Sequence, residues 1–221
     1  PVGFSGDTVT SWASLDFQPY FTATAANIGY GWWSHDIGGF EGPQPSTELL
    51  VRWIQLGIYS SRFAINCFKT TPENNNLGEV IEPWMYPEAT PMVRAAIKRR
   101  YEMLPYIYSL ALESHATASP PQRWTGWGYE TDPEVWRSRM LKNGETQFWL
   151  GDSLLVGGVF EPGETKAKMY LPKNSAYDPG FLNLNAPFQY FAAGQWVEVD
   201  SKWDAGIPVL GRIGGAIPVG K

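Results

Sequence analysis

The hydrophobic period changes near residue 120, and no other feature of the chain limits its fold so tightly. Before that point, apolar residues recur at helical spacing between short strand-sized runs. Trp12, Leu15, Phe17, Tyr20 and Phe21 form a loose helical stripe interrupted by Pro19 and continued by Ala23 to Ile28. Ile28-Gly-Tyr-Gly-Trp-Trp33 turns strand-like, and Ile37-Gly-Gly-Phe-Glu-Gly-Pro43 must be loop, because its glycines and proline do not suit an element interior. Ser46 or Thr47 caps the next helix, whose face is Leu49, Leu50, Trp53, Ile54 and Gly57. Ile58 to Ile65 is a second short strand candidate, and Asn66 to Pro83 a long polar excursion. Val93, Ile97, Tyr101, Leu104, Tyr108 and Leu112 define the clearest helix, with a kink expected at Pro105 and an end near Ser119-Pro120-Pro121.

After residue 120 the runs become short and are separated by Gly, Pro, Asn and Asp. They are Phe148–Leu150, Ser153–Phe160, Lys168–Leu171, Gln189–Phe191, Gln195–Val199 and Pro208–Pro218. Strand–helix units followed by such runs read as an α/β half, residues 1–119, and an all-β half, residues 120–221, shaped as a small sandwich or barrel. The opening Pro1-Val-Gly-Phe-Ser-Gly-Asp7 reads as the interior of a longer polypeptide, with a processed mature N-terminus as the alternative.

Composition removes several function classes. The 17 basic side chains are outnumbered by 22 acidic ones and form no long run, which argues against a nucleic-acid partner. No stretch approaches the ~20 apolar residues of a membrane span. One cysteine, Cys67, and two distant histidines, His35 and His115, build no thiolate cluster or histidine-rich metal site. Gly-x-Ser-x-Gly and Gly-x-Gly-x-x-Gly are both missing, and nothing calls for a cofactor. Compartment is left open. Eleven each of Trp, Tyr and Phe are enough for aromatic cores and for the aromatic walls that suit sugar rings.

What remains is carboxylate chemistry. Asp7 follows Gly6 in a polar segment ahead of a helix, and Asp36 ends an aromatic strand and opens the glycine loop. A charged residue just past a barrel strand lies on the catalytic face. By itself, either carboxylate is also what a helix cap or a turn would use. Trp32, Trp33 and Phe40 bracket Asp36, and strand alternation sends the two tryptophans to opposite sides. Arg62 can pair a carboxylate bidentately, or can simply cover the surface.

The segment Gly31-Trp-Trp-Ser-His-Asp-Ile-Gly-Gly-Phe40 closely resembles glycoside hydrolase family 31, the α-glucosidase and α-xylosidase family, as does Phe4-Ser-Gly-Asp7 with Thr10-Ser-Trp12. Arg99-Arg-Tyr-Glu-Met-Leu-Pro-Tyr-Ile-Tyr-Ser-Leu110 is similar to that family's last barrel helix. Gln147-Phe-Trp-Leu-Gly-Asp-Ser-Leu-Leu-Val156 and the stretch from Gly206 to Pro218 resemble its proximal C-terminal β-domain.

The resemblance implies the C-terminal portion of a (β/α)8 TIM barrel followed by a small antiparallel β-domain. It also implies retaining hydrolysis of α-glycosides, foremost α-glucosides. Asp7 takes the acid/base role, and Asp36 the grip on glycone hydroxyls. Phe40, Trp33, Trp32, Phe4, Arg62 and Asn66 take the substrate pocket. The family's nucleophile segment has no counterpart here. Retaining chemistry holds its two carboxyls about 5–5.5 Å apart, so an N-terminal chain or portion of the same protein is the implied partner, with an oligo- or disaccharide as substrate. Transglycosylation, lyase chemistry and a non-catalytic carbohydrate-binding role are the alternatives. The family's Arg-x-His falls on Ala64 and Asn66, with Arg62 two residues upstream.

Overall fold

The computed structural model describes residues 2–67 and 82–220. Most of the polar excursion from Asn66 to Pro83 lies outside the described residues.

The first half begins with strand β1 (Val2–Phe4) and helix α1 (Trp12–Asn27). Ser11 starts α1 by accepting the amide of Ser14 on its hydroxyl, and the helix runs through Pro19 without the expected interruption. Strand β2 (Trp32–Ser34) pairs parallel to β1, with Val2 beside Trp32 and Phe4 beside Ser34. Helix α2 (Thr47–Gly57) is capped by Ser46 and carries Glu48 in its first turn. A 3₁₀ turn (Pro83–Met85) precedes α3 (Thr90–Glu102) and α4 (Leu104–Thr117). Among the described residues, β1 and β2 form a two-stranded sheet and close no barrel.

Two expectations are corrected here. Pro105 does not kink one long helix. It opens a second one, because a proline fits the first turn of a helix and breaks its interior. The joint is the buried Met103. The segment Ile58–Ile65 forms no strand. The Ser61 hydroxyl accepts the Trp33 N–H at 2.8 Å and donates to the Trp33 carbonyl at 3.1 Å, so the Trp33 amide that a ladder would use goes to a side chain, and of the segment's backbone only the Arg62 amide shares the carbonyl.

The second half contains β3 (Gln122–Arg123), α5 (Pro133–Arg137), α6 (Arg139–Asn143), β4 (Gln147–Leu150), β5 (Leu154–Gly157), β6 (Lys166–Leu171), β7 (Phe181–Asn183), β8 (Tyr190–Phe191), β9 (Gln195–Asp200) and β10 (Val209–Arg212). It is not purely β. Asp132 followed by Pro133 starts α5, and Ser138 with Gly144 brackets α6, signals present in the sequence. One antiparallel sheet runs β3-β4-β5-β10-β7-β8, and β6 pairs with β9 in a second sheet. Trp149, Leu155, Phe181 and Leu210 of the large sheet meet Met169, Leu171 and Val199 of the small one in a shared core.

A larger core crosses between the halves. It joins Leu15, Leu50, Trp53, Ile54, Met103 and Tyr106 to Phe148, Leu150, Leu154, Val156 and Val209. Polar ties reinforce it. Buried Arg52 reaches from α2 to the carbonyls of Ser201, at 3.0 Å, and Glu164, and its Nε meets Glu48 at 2.9 Å. The Tyr106 hydroxyl donates to the Leu150 carbonyl at 2.8 Å.

Candidate active site

Parallel pairing decides the geometry of the two carboxylates. Because β1 and β2 run the same way, the loops carrying Asp7 and Asp36 leave the sheet at the same, C-terminal end. Backbone bonds then stitch the loops together. The Ser5 amide donates to Ser34, Phe40 and Glu41 both donate to Thr8, and Thr10 donates to Glu41. Gly39 is required where they touch. Its φ is +84°, and a Cβ there would lie 2.3 Å from the Thr10 hydroxyl and 2.7 Å from the Thr10 Cα.

The carboxylates differ in environment. Asp7 is exposed, and Asp36 is only 3% exposed. The Asn66 amide donates to Asp36 Oδ1 at 3.2 Å. Phe40 is half-buried on the same rim, and Phe4 is 48% exposed at the end of β1. Arg62 is exposed, and its backbone amide donates to the Trp33 carbonyl.

Trp33 departs from the substrate pocket. It is buried against α1, with its ring 5.1 Å from Phe21 and 6.3 Å from Tyr30. Alternation sends Trp32 the other way, where it lines a hollow with Leu104, Pro105, Ile107, Tyr108 and Ala111. Neither indole is brought to the rim that carries Phe40.

The residues beneath Asp36 were not singled out from sequence. His35 is buried between two side chains: its Nδ1 lies 2.9 Å from Trp53 Nε1, and its Nε2 lies 3.1 Å from the Ser60 hydroxyl. Indole nitrogen only donates, so Nδ1 accepts and Nε2 carries the proton. Burial pushes the His35 pKa down to about 4, which keeps this ring neutral at pH 7.

Arg100 of α3 holds the turn that presents Ser60. It donates to the carbonyls of Ile58 at 2.8 Å and Ser61 at 3.1 Å, and to that of Ser60. Burial lowers its pKa to about 10, still charged at neutrality. Ser61 in turn gives its amide to Gln122 Oε1 of the second half at 2.9 Å. The signal for Arg100 was present: it lies seven residues after Val93 and four after Ala96, on the buried face of α3. Nothing local marks Trp53, Ser60 or Gln122, whose partners are distant in sequence. Among the described residues, no cluster of three or more His, Cys, Asp or Glu side chains could hold a metal ion.

Comparisons with known proteins bear on this arrangement. The "Glycosyl hydrolases family 31 TIM-barrel domain" matches residues 1–110, and the "Glycosyl hydrolase family 31 C-terminal domain" matches residues 118–217. Neutral alpha-glucosidase C of Homo sapiens is 33% identical over 221 residues, covering 98% of this chain and 22% of that protein. A probable glucan 1,3-alpha-glucosidase of Arabidopsis thaliana is 34% identical over 177 residues, 79% of this chain and 18% of that protein. Among solved structures, a xylosidase from Aspergillus niger superposes with a TM-score of 0.84 at 27% identity, covering 96% of this chain and 31% of that one. A Flavobacterium johnsoniae family 31 dextranase complexed with glucose gives 0.83 at 28% identity, covering 99% and 26%. The chain thus spans about a fifth of the length of the curated relatives it matches. With matches to both domains in order along nearly its whole length, the chain belongs to glycoside hydrolase family 31.

Proposed function

We propose that this chain supplies the acid/base and the glycone-binding carboxylate of a retaining α-glycosidase acting on α-glucosides. Residues 1–119 form the C-terminal part of a (β/α)8 barrel, and residues 120–221 the proximal C-terminal β-domain. The nucleophilic carboxylate comes from another portion of the same protein. The observation that carries this reading is the common rim: Asp7 and Asp36 follow adjacent parallel strands, in loops bonded to one another.

Their unequal burial suits unequal roles. A group that gives a proton to a leaving oxygen and later takes one from water must reach solvent, and Asp7 is exposed. A group that grips hydroxyls gains from being fixed, and Asp36 is buried with Asn66 on one oxygen. In the first step the nucleophile attacks the anomeric carbon, the glycosidic C–O bond breaks, and the Asp7 proton passes to the departing oxygen. In the second, the Asp7 carboxylate takes a proton from water, whose oxygen displaces the nucleophile with net retention. Phe40 and Phe4 offer apolar faces to the sugar, with Arg62 at the edge.

A non-catalytic, carbohydrate-binding relative is the second reading. It is favoured by Ala64 and Asn66, which stand where the family resemblance calls for Arg and His.

In the complete protein, Asp7→Asn is expected to lower turnover of α-glucosides with poor leaving groups by roughly 10²–10⁴-fold. Activated aryl α-glucosides, which need little protonation, lose much less. Equal loss on both substrates removes Asp7 from the acid role. Absence of turnover in the unaltered complete protein favours the second reading.

A further inference from the structure

A second concave site lies on the second half, toward the end of β2 opposite Asp36. Arg123, Trp127, Tyr129, Asp152, Asn174 and Arg212 are among the residues that line it, and its volume is about 270 Å³. It is placed by the chain's own geometry. Gly31 precedes the first residue of β2 and packs against Pro120, so Pro120 marks the end of β2 opposite Asp36. Arg123 Nε donates to the Pro120 carbonyl at 2.8 Å, which fixes the new site at that end.

Its chemistry is specific. Trp127 is 36% exposed, leaving an indole surface open to solvent, and the Arg123 guanidinium sits 6.0 Å from the ring centroid. Asp152 is exposed, accepts Ser153 at 2.6 Å, and pairs with Arg212 at 3.4 Å. Ionised carboxylate oxygens hold about four acceptor positions, so Asp152 keeps capacity for further donors. Arg212 Nε donates to the Asp152 carbonyl at 2.9 Å and Nη2 to the Asp152 carboxylate at 3.4 Å, two of the five donors a guanidinium carries. Asn174 is exposed and brings a carboxamide with both a donor and an acceptor.

The charges cancel. Arg123 is paired with Glu113 at 2.6 Å and Arg212 with Asp152, so the hollow has no surplus of either sign to hold an anion or a cation. An aromatic face beside balanced donors and acceptors fits a neutral, polyhydroxylated ring, with its C–H face on the indole and its hydroxyls on the fork of Asp152, Arg212 and Asn174.

We propose that Trp127, Asp152, Asn174 and Arg212 form a non-catalytic saccharide-binding site on the β-domain, separate from the Asp7–Asp36 rim. Such a site holds a glucan chain on the protein while the rim engages an end, which raises the effective concentration of substrate at the rim. Saccharide binding at this site does not depend on hydrolysis, whereas its effect on the rim rests on the function proposed above.

The test is calorimetric titration of the complete protein with maltotriose, in an Asp7→Asn/Asp36→Ala background that removes turnover and the rim's grip. Binding is expected to persist there. Adding Trp127→Ala, or separately Asp152→Ala with Asn174→Ala, is expected to weaken it at least about tenfold, equal to about 1.4 kcal/mol. The exposed pair Asp152 and Asn174 keeps the test valid if Trp127→Ala proves unstable. Loss of all maltotriose binding in the Asp7→Asn/Asp36→Ala background, or unchanged affinity in the Asp152→Ala/Asn174→Ala variant, overturns the proposal. Hydrolysis of an aryl α-glucoside by the otherwise unaltered protein, and by its Trp127→Ala variant, is read in parallel. Its absence from both overturns the catalytic reading and leaves the binding result standing.

Discussion

The two halves of the molecule use sheets in opposite ways. In the second half, β6 and β9 cover the larger sheet and enclose a core of that half's own residues, centred on Trp149, Phe181 and Met169. In the first half, β1 and β2 are three residues each and enclose nothing. The first half's buried residues are completed instead by Phe148, Leu150, Leu154, Val156 and Val209 of the second. A short parallel pair positions loops well and stabilises poorly, whereas an antiparallel sandwich stabilises itself and lends an apolar face to its neighbour. The difference separates two parts: the first half carries the loops of Asp7 and Asp36, and the second completes the core beneath them.

The sharpest challenge to that division is a substitution on the shared face. Leu154 is fully buried in the core that crosses the halves, so Leu154→Ala is expected to cost about 2–5 kcal/mol. Both halves should then melt together, at a lower temperature, when calorimetry of the complete protein is compared with proteolysis of the first half. If the first half keeps its protection after this substitution, it does not lean on the second.

Acid tests the same division from the other side, because His35 belongs to the first half alone. In the folded state its pKa is about 4, while the unfolded chain has the ordinary value near 6.5. The unfolded state therefore binds the proton first. The stabilisation is complete above pH 6.5 and is lost as pH falls toward 4, amounting to on the order of 3 kcal/mol. Denaturant titrations at a series of pH values should show this slope in the unaltered protein and lack it in His35→Gln. An identical slope in both would place the acid sensitivity elsewhere.

The smallest effect concerns the rim itself. Removing the Asn66 amide with Asn66→Ala takes one hydrogen bond from Asp36 and is expected to cost about 1 kcal/mol or less of stability. Its consequence for a bound sugar should be larger than for the fold, and should appear in KM rather than kcat. A fall in kcat with KM unchanged would show that Asn66 does not act through Asp36.

Much of the chain was legible because its signals are local. Ser46 marks a helix start by offering a hydroxyl to the amide three residues on, and Gly39 marks a loop because its backbone is left-handed and tightly approached. The runs at 148–150, 168–171 and 195–199 fall inside strands, each one or two residues longer in the structure, because their residues favour a pleated surface and turn formers bound them. β7 was missed: three residues flanked by Asp, Pro, Gly and Asn carry too little pattern to be read without their partner β10. Ile58–Ile65 reads as a strand and forms none, because a serine from its own turn takes the neighbouring Trp33 amide that a ladder would use.

For the candidate site, the sequence determined which residues carry acid and amide groups and that they fall just past strand-like runs. It also determined that Trp32 and Trp33 cannot face the same side. Only the tertiary structure decided that Asp7 meets solvent while Asp36 is buried, that Trp33 belongs to α1 and that a neutral imidazole lies beneath the rim. Those outcomes rest on contacts such as Trp53 with His35, Arg100 with the Ser61 carbonyl and Gln122 with the Ser61 amide. Each joins groups far apart along the chain. Local propensity has no information about such pairs, because burial and hydrogen-bond partners exist only once the elements have packed.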